Sequence, residues 1–427
     1  MSERHIIAML AVASVALCLA TASAQGQSPA ASKPNPPPQI CVNSQCVTTA
    51  STPPVTSIPG KGSIKWNPGH YMASDTVIYA GRTIAHVQSE MDDLNNQDAI
   101  VGYRAYVSWG ALEPTQGNYD FSVLDAILTR LKTAYNKPKR LVVYLWLYGQ
   151  GHLRQNDGSV IPLYIQQNPV YGASPVAGSY GWWGQNANGA STGMYAPSLY
   201  YQPVMDRLIA LMQALGHHYD GEPYFEAVDF QEDATIAQAA SAFGSNPLYS
   251  DGAWLAQLKR LLTASTAAFP HTSIVMDNSW FDQPASGVAL QQWMAANRIA
   301  AGTEDSWGQS AITTYGTAAL SDGIQTLFGV SQYGGAVDLR PKMARMMAVE
   351  GTELEGPYFR KYGGPWTPLD LVNGLNQTYQ ASHVFWTHLF GNELFPAPVP
   401  PAAKWSNLAA TLSANPLTHT EYPADYP

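Results

Sequence analysis

The stretch Phe-Glu-Ala-Val-Asp-Phe-Gln-Glu-Asp, residues 225–233, is the part of the sequence that decides the fold class. Its first half is apolar and typical of the interior of a short strand. The strand is expected to stop at Gln231 and Glu232, where carboxylates begin. A second run, residues 343–355, has the same form, because an apolar segment leads into Glu350. The two runs predict two buried strands that each end in an acidic residue.

Apolar strand-like runs alternate with amphipathic helical runs over the rest of the chain. One of the helical runs spans residues 204–215 and is predicted to stop at Gly216. Eight strands in about 360 residues predict an α/β fold, a (β/α)8 TIM barrel in which all the strand ends that carry chemistry open on one face. A doubly wound open sheet is the alternative, although no Gly-x-Gly-x-x-Gly follows the first strand. The predicted strands are residues 64–70, 100–108, 140–147, 225–232, 273–278, 298–304, 343–350 and 383–389.

The composition limits the class of partner. The net charge is −9 and only 12% of the residues are charged. No basic patch is visible, which argues against a nucleic-acid partner. The chain has 12 Trp and 24 Tyr, and the flat faces of such side chains suit sugar rings. Packing inside a large barrel is the alternative explanation for so many aromatic residues.

The beginning of the chain is predicted to be a targeting segment. A short polar start, an apolar run and Ala22-Ser23-Ala24 predict a signal peptide over residues 1–24 and a secreted protein, extracellular or periplasmic. Residues 25–60 are rich in Pro, Ser and Thr and are interpreted as a linker. The barrel domain is assigned to residues 61–427, where no stretch is long and apolar enough to cross a membrane.

Two cysteines, Cys41 and Cys46, lie inside the predicted linker. In an oxidising compartment they are expected to form a local disulfide, so that a small stapled loop rests against the main domain. The pair offers too few ligands for a metal site. No metal and no cofactor are predicted.

A resemblance becomes specific in residues 102–125. Trp109 is followed by Glu113-Pro114, Gly117, Tyr119-Asp120-Phe121 and Leu124-Asp125. This order resembles the second βα unit of the clan A glycoside hydrolases, in particular their β-galactosidase and cellulase-like branches. Glu113 itself is interpreted as a structural loop residue.

The resemblance implies a pair of catalytic carboxylates. Glu232, at the end of the fourth strand, would be the acid/base, and Glu350, at the end of the seventh, the nucleophile. A retaining mechanism places two such groups about 5–5.5 Å apart. Arg104 matches the arginine that keeps the nucleophile ionised. Gln231 occupies the position where these enzymes have an Asn that binds the sugar 2-hydroxyl. This departure from the pattern weakens the prediction of catalysis more than the prediction of the fold.

Other side chains are candidate sugar contacts. Trp182 and Trp183 lie in a long Gly- and Tyr-rich interval after the third strand, which is interpreted as a wall of the cleft. Trp307 follows the sixth strand and His70 is expected at the end of the first. Trp386, in the eighth strand, matches the position where the resemblance implies a Trp under the sugar.

The sequence therefore predicts a secreted glycosidase that cleaves a β-linked oligo- or polysaccharide. A non-catalytic carbohydrate-binding barrel and a surface scaffold are the alternatives. Glu353 and Glu355 compete with Glu350 for the role of nucleophile. Strand alternation favours Glu350, because it is expected to share one face with Ala344, Met346 and Ala348. The sugar, the linkage, endo or exo action, an inverting mechanism and the oligomeric state remain open.

Overall fold

The computed structural model describes residues 39–42, 45–48, 64–147, 158–171, 182–183, 196–231, 249–277, 281, 283–303, 306–316, 322–329, 337–349, 367–388 and 401–423. The chain separates into two units, Met1–Pro37 and Pro38–Pro427, and the described residues all lie in the second unit. Among them, no helix combines the length and the hydropathy needed to cross a membrane.

Eight parallel strands form a closed barrel, and each strand pairs with the next one along the chain. This arrangement confirms the predicted (β/α)8 fold class. The barrel strands are β3 (Gly69–Ala73), β4 (Ile100–Ser108), β6 (Arg140–Trp146), β9 (Phe225–Phe230), β10 (Ser273–Met276), β11 (Ile299–Thr303), β12 (Arg345–Val349) and β13 (His383–Thr387).

Helices cover the outside of the barrel and connect its strands. They are α1 (Gln88–Asp92), α2 (Trp109–Leu112), α3 (Ser122–Thr133), α4 (Leu163–Gln167), α5 (Gln202–Tyr219), α6 (Asp251–Ala268), α7 (Pro284–Ala296), α8 (Gln309–Tyr315), α9 (Asp322–Leu327), α10 (Pro368–Gly374) and α11 (Pro401–Ala414). Short 3₁₀ segments span Ile84–His86, Pro169–Tyr171 and Arg340–Lys342, and a π-helical turn spans Leu375–Tyr379.

Strand alternation divides the core into two layers. The inner layer fills the barrel and includes Tyr71, Val142, Tyr144 and Phe385, whereas the next residues along the same strands pack outward against the helices. Any residue of a barrel strand therefore faces either the inside of the barrel or the helix layer.

The predicted linker contains a hairpin that pairs with the barrel unit. Strand β1 (Gln39–Val42) is antiparallel to β2 (Gln45–Thr48), with Cys41 opposite Cys46. Strand β1 also pairs in parallel with β5 (Asn118–Tyr119), in the segment that follows β4. The backbone register thus places the two cysteines opposite each other, and the disulfide itself stays a prediction.

The first barrel strand and helix α5 have boundaries that differ from the sequence prediction. The first strand begins at Gly69 instead of residue 64, because Pro68 donates no ladder hydrogen bond and the backbone N–H of Asn67 is used by Glu226 at 2.8 Å. Helix α5 continues past Gly216 to Tyr219. A Cβ on Gly216 would collide with the backbone oxygen of Ala268, so this glycine permits the close approach of α6.

The described residues of the long interval after the third barrel strand include short elements. They are α4 and a pair of two-residue strands, β7 (Trp182–Trp183) and β8 (Ala196–Pro197), in antiparallel register. The role of this interval as a wall of the cleft stays a prediction.

Candidate functional site

The fourth and seventh barrel strands end at the same rim, as the parallel topology requires. Strand β9 ends at Phe230, Gln231 follows it, and β12 ends at Val349. Both predicted catalytic residues, Glu232 and Glu350, lie outside the described residues. Their assignment therefore stays a prediction.

The described part of β12 supports the face predicted for Glu350. Ala344, Met346 and Ala348 all lie in the inner layer of the barrel, with no exposed surface. Continued alternation would direct residue 350 to the same inner face.

Gln231 links the ends of two strands. Its side chain is 3% exposed, and its Oε1 accepts a hydrogen bond of 2.8 Å from the backbone N–H of Leu147, which follows β6. The amide oxygen thus has a structural partner, a role that the sequence did not predict.

Arg104 lies inside the barrel with no solvent exposure, and two acidic side chains contact it. Its Nη2 atom is 2.6 Å from Oδ2 of Asp229 and 3.1 Å from Oδ2 of Asp277, which directly follows β10. The guanidinium carbon lies 3.9 Å from the ring centre of Tyr144 and 4.7 Å from that of Phe385. Aromatic faces stabilise a cation that has little access to water.

The two aspartates form a carboxyl pair in a site without water exposure. Both carboxyl groups contact the same nitrogen of Arg104. Burial raises the pKa of Asp229 to about 6, although the charge of Arg104 and the hydrogen bonds from Arg104 and Asp277 act to lower it. Gly302 leaves room for the pair, because a Cβ at this position would collide with Oδ1 of Asp277. Neither aspartate was predicted from the sequence to be a site residue.

Aromatic side chains lie above this cluster at the carboxyl ends of the strands. Trp146, the last residue of β6, is half-buried and stacks on Tyr106 with ring centres 5.7 Å apart and planes inclined by 23°. Tyr106 in turn lies 4.6 Å from Tyr144. Trp146 was missed as a candidate, yet its spacing from Val142 and Tyr144 predicts an inward-facing ring at a strand end.

Trp386 and His70 were predicted as sugar contacts, and the structure corrects both. Trp386 has no exposed surface and belongs to the outer layer, and its Nε1 donates to Nδ1 of His70 at 3.1 Å. His70 lies near the beginning of β3 and pairs in register with the outward-facing Val384. Burial lowers the pKa of His70 to about 3. Because both side chains face the helices, neither reaches a ligand inside the barrel.

The remaining predicted aromatic platforms divide into two cases. Trp307 is 3% exposed and packs in the outer layer, and its backbone N–H donates to the hydroxyl of Tyr379 at 2.9 Å. Its predicted role as a platform is therefore wrong, since stacking requires an accessible ring face. For Trp182 and Trp183 only the backbone strand is described, so their role stays a prediction.

The residues that carried the resemblance form a structural network. Trp109 Nε1 donates to Oε2 of Glu113 at 2.9 Å, and the backbone N–H of Gly117 donates to Oε1 at 2.8 Å. Arg207 of α5 forms an ion pair with the same carboxylate and also donates to the hydroxyl of Tyr119 at 3.2 Å. This buried network fixes the segment after β4 against α5 and takes no part in a site.

A group of acidic residues and one histidine at the same rim resembles a set of metal ligands. Asp75, Glu90 and His388 bring their ligand atoms within 4.8 Å of one another. His388, however, directs Nδ1 to Asp75 at 3.0 Å and Nε2 to Asp93 at 2.9 Å. Burial lowers the pKa of His388, but hydrogen bonds to Asp75 and Asp93 outweigh it and raise the pKa to about 9. An imidazolium has no lone pair for a metal, so this group is an ion-pair cluster.

The solved structures that resemble this protein do so at low sequence identity and with TM-scores below 0.5. No family model and no curated protein match the chain. A crystal structure of a glycoside hydrolase shares 12% identity over 81% of this chain and 99% of its own, with a TM-score of 0.45. GH5_18 from Streptomyces cattleya in complex with GlcNAc shares 14% identity over 84% and 83%, with a TM-score of 0.44.

Endo-glycoceramidase II from Rhodococcus sp., solved as its lactosyl-enzyme intermediate, shares 12% identity over 80% of this chain and 76% of its own, with a TM-score of 0.45. These neighbours are glycoside hydrolases, but likenesses at this level carry no argument about family or activity. The fold rests on the strand pairing described above.

Proposed function

We propose that this protein is a secreted glycoside hydrolase that cleaves a β-linked oligo- or polysaccharide by a retaining mechanism. One observation carries the proposal. The fourth and seventh strands of a closed parallel barrel end at Phe230 and Val349, at the rim where such barrels hold their active sites, and Glu232 and Glu350 follow them in the sequence within two residues.

The proposed roles follow from the chemistry of glycosidic cleavage. Glu232, as the acid, would protonate the leaving oxygen, while Glu350, as the carboxylate nucleophile, would attack the anomeric carbon. A water molecule activated by Glu232 would then release the sugar. Arg104, which Asp229 and Asp277 hold inside the barrel, would form the floor of this site. Trp182 and Trp183 are kept as candidate wall residues.

Trp146 is added as an aromatic platform for the sugar. Its ring is already held in place by the stack on Tyr106, and its position at the end of β6 brings it to the same rim. A rigid half-buried ring binds a sugar face with little loss of conformational entropy.

The N-terminal assignments belong to the same proposal. Residues 1–24 would direct secretion, residues 25–60 would tether the barrel, and Cys41 and Cys46 would form a disulfide. A secretion signal would bring the hydrolase to a polysaccharide that lies outside the cell.

A carbohydrate-binding barrel without catalysis is the second candidate, and Gln231 favours it. Its amide oxygen is held by the backbone of Leu147, whereas the resemblance implies an Asn that binds the sugar. Binding of a sugar without cleavage would select this candidate.

The deciding experiment measures the release of reducing ends from a panel of β- and α-linked polysaccharides. Glu232→Gln and Glu350→Gln are each expected to abolish release, while Glu353→Gln and Glu355→Gln retain it. Retention of the anomeric configuration in the product, followed by NMR, checks the mechanism. Full activity of Glu232→Gln would refute its assignment as the acid/base.

Trp146→Ala is expected to raise KM roughly 3- to 10-fold, because a stacked ring contributes on the order of 1 kcal/mol. Trp66→Ala is the matched control, since Trp66 is also half-buried but lies near the amino ends of the strands beside His383. An equal change of KM in both variants would argue against the platform.

A further inference from the structure

The interior of the barrel holds a cluster of charges whose signs do not balance. Arg104, Asp229 and Asp277 come from three different strands or strand ends, and none of their side chains is exposed. Two ionised carboxylates against one guanidinium would leave an excess negative charge in a region from which water is excluded. Such a charge costs several kcal/mol unless a proton neutralises it.

The geometry shows where that proton would be held. One nitrogen of Arg104 contacts an oxygen of each carboxyl group, so the two carboxyl groups share a single cation in a site with no exposed surface. Two buried carboxylates that share one cation do not both stay ionised, since the second charge would be uncompensated. We propose that Asp229 and Asp277 share one proton and that this protonated pair positions the guanidinium of Arg104.

The groups that face Asp229 from the neighbouring elements support this assignment. Within the described residues they are Arg104 on β4 and Asp277 after β10, while the rings of Tyr106 and Tyr144 contact Arg104. Burial raises the pKa of Asp229 to about 6 against the opposing effect of Arg104. The pair therefore carries one proton at neutral pH and takes up a second as the pH falls through about 6.

The pair has a consequence for the active site, and this step rests on the proposed function. With one proton, the pair carries a single negative charge that matches the single charge of Arg104. Uptake of a second proton removes that charge and releases the guanidinium from Asp229. Asp229 and Asp277 are thus positioning residues, which act through Arg104 and do not touch the sugar.

Infrared difference spectroscopy tests the shared proton without any substrate. At pH 7.5, the spectrum of the wild type minus that of Asp229→Asn is expected to show a protonated-carboxyl band that shifts in D2O. The difference against Asp277→Asn is expected to show it too. Glu226→Gln, on the same strand, is the matched control and is expected to show no such band, because its carboxyl is ionised. Absence of the band from both aspartate differences would overturn the proposal.

NMR of protein labelled with ¹⁵N-arginine tests the positioning. The side-chain resonance of Arg104, assigned through Arg104→Lys, is expected to shift with a midpoint near pH 6 in the wild type and in Glu226→Gln. The shift is expected to vanish in Asp229→Asn. A resonance that titrates identically in Asp229→Asn would overturn the role of the pair.

The activity of the same variants separates the two proposals. Asp229→Asn is expected to lower kcat roughly 10- to 100-fold with little change in KM, because misplacement of a site residue by about 1 Å has this effect. A wild type that cleaves no sugar would refute the proposed function while the infrared and NMR results still decide the proton pair. A wild type that cleaves sugar, with an Asp229→Asn variant of unchanged kcat, would refute the positioning role alone.

Discussion

Glu226 and Asp229 are both completely buried and lie three residues apart on strand β9, yet they differ in their electrostatics. Glu226 accepts hydrogen bonds of 2.8 Å from the backbone and the side chain of Asn67, and His383 lies 3.3 Å away. Burial raises the pKa of Glu226, but His383 and Asn67 outweigh it and the pKa is lowered. The pKa of Asp229 stays raised, because burial outweighs the lowering effects of Arg104, which it shares with Asp277, and of Asp277 itself.

Burial alone therefore does not set the charge of a carboxylate. At the amino end of the barrel, Glu226 has donors of its own and stays ionised. In the middle of the barrel, two carboxylates divide one cation. The hydrogen bonds of Glu226 stabilise the folded protein. The Asp229–Asp277 pair instead holds a proton that can be gained or lost.

Removal of the satisfied carboxylate should have the largest effect on stability. Glu226→Ala leaves the donors of Asn67 and His383 without their acceptor in the core, which is expected to cost about 3–5 kcal/mol of the free energy of unfolding. Urea denaturation measures this cost. Glu226→Gln keeps one acceptor oxygen and should cost less. A smaller loss of the free energy of unfolding in Glu226→Ala than in Asp229→Ala would contradict the view that Glu226 is the more stabilising of the two carboxylates.

A histidine at the rim extends the comparison to a cation that titrates. His388 lies between Asp75 and Asp93, and its pKa is raised to about 9 because these hydrogen bonds outweigh burial. A pKa that is higher in the folded than in the unfolded protein gives stability that is complete below about pH 6.5 and is lost as the pH rises through 9.

His388→Gln is therefore expected to cost about 3 kcal/mol at pH 6, since each pKa unit corresponds to about 1.4 kcal/mol. The cost should disappear above pH 9. Thermal unfolding across this range measures it. His217→Gln is the control, because His217 is exposed on α5. A cost for His388→Gln that does not vary with pH would contradict the ion-pair assignment.

A glycine offers the smallest and sharpest perturbation of the aspartate pair. Gly302→Ala introduces a Cβ that collides with the carboxylate of Asp277, so the carboxylate must leave Arg104. The expected cost is about 2 kcal/mol, with a rise of the Asp229 pKa, because the displaced Asp277 no longer lowers it. Urea unfolding and the infrared titration of Asp229 are the measurements. Gly221→Ala is the control, because a Cβ there meets nothing within 4 Å. An unchanged titration of Asp229 in Gly302→Ala would mean that Asp277 does not affect it.

The sequence predicted the barrel because hydrophobic burial leaves a local trace. Each of the eight strands is a short apolar run, and the helix between β4 and β6 has its buried residues at helical spacing, as Leu124, Ile127 and Leu131 illustrate. Boundaries were less predictable. The first strand was placed too early because residues 64–68 were included in its pattern, and α5 was predicted to end at Gly216 because a packing glycine has the same sequence signature as a helix stop.

The orientation of a candidate site residue was predictable only where the residue lies on a strand, because side chains along a strand alternate between two faces. Ala344, Met346 and Ala348 lie on the inner face as predicted. Trp386 was predicted to contact the sugar. Strand alternation, however, directs its neighbours Phe385 and Thr387 into the barrel and Trp386 toward the helices. A shift of one residue along a strand exchanges the two faces. Trp146 shows the reverse case, since its alternation directed it inward and its role was overlooked.

By itself, the sequence determined the fold class, the order of the strands and which residues alternate between the two faces, because these follow from short-range patterns of burial. Only the tertiary structure decided the charges. Arg104 meets Asp229 and Asp277 across 125 and 173 residues of chain, and no local pattern records that contact. Coulomb energy depends on distances and on the exclusion of water, and both arise only when the barrel closes.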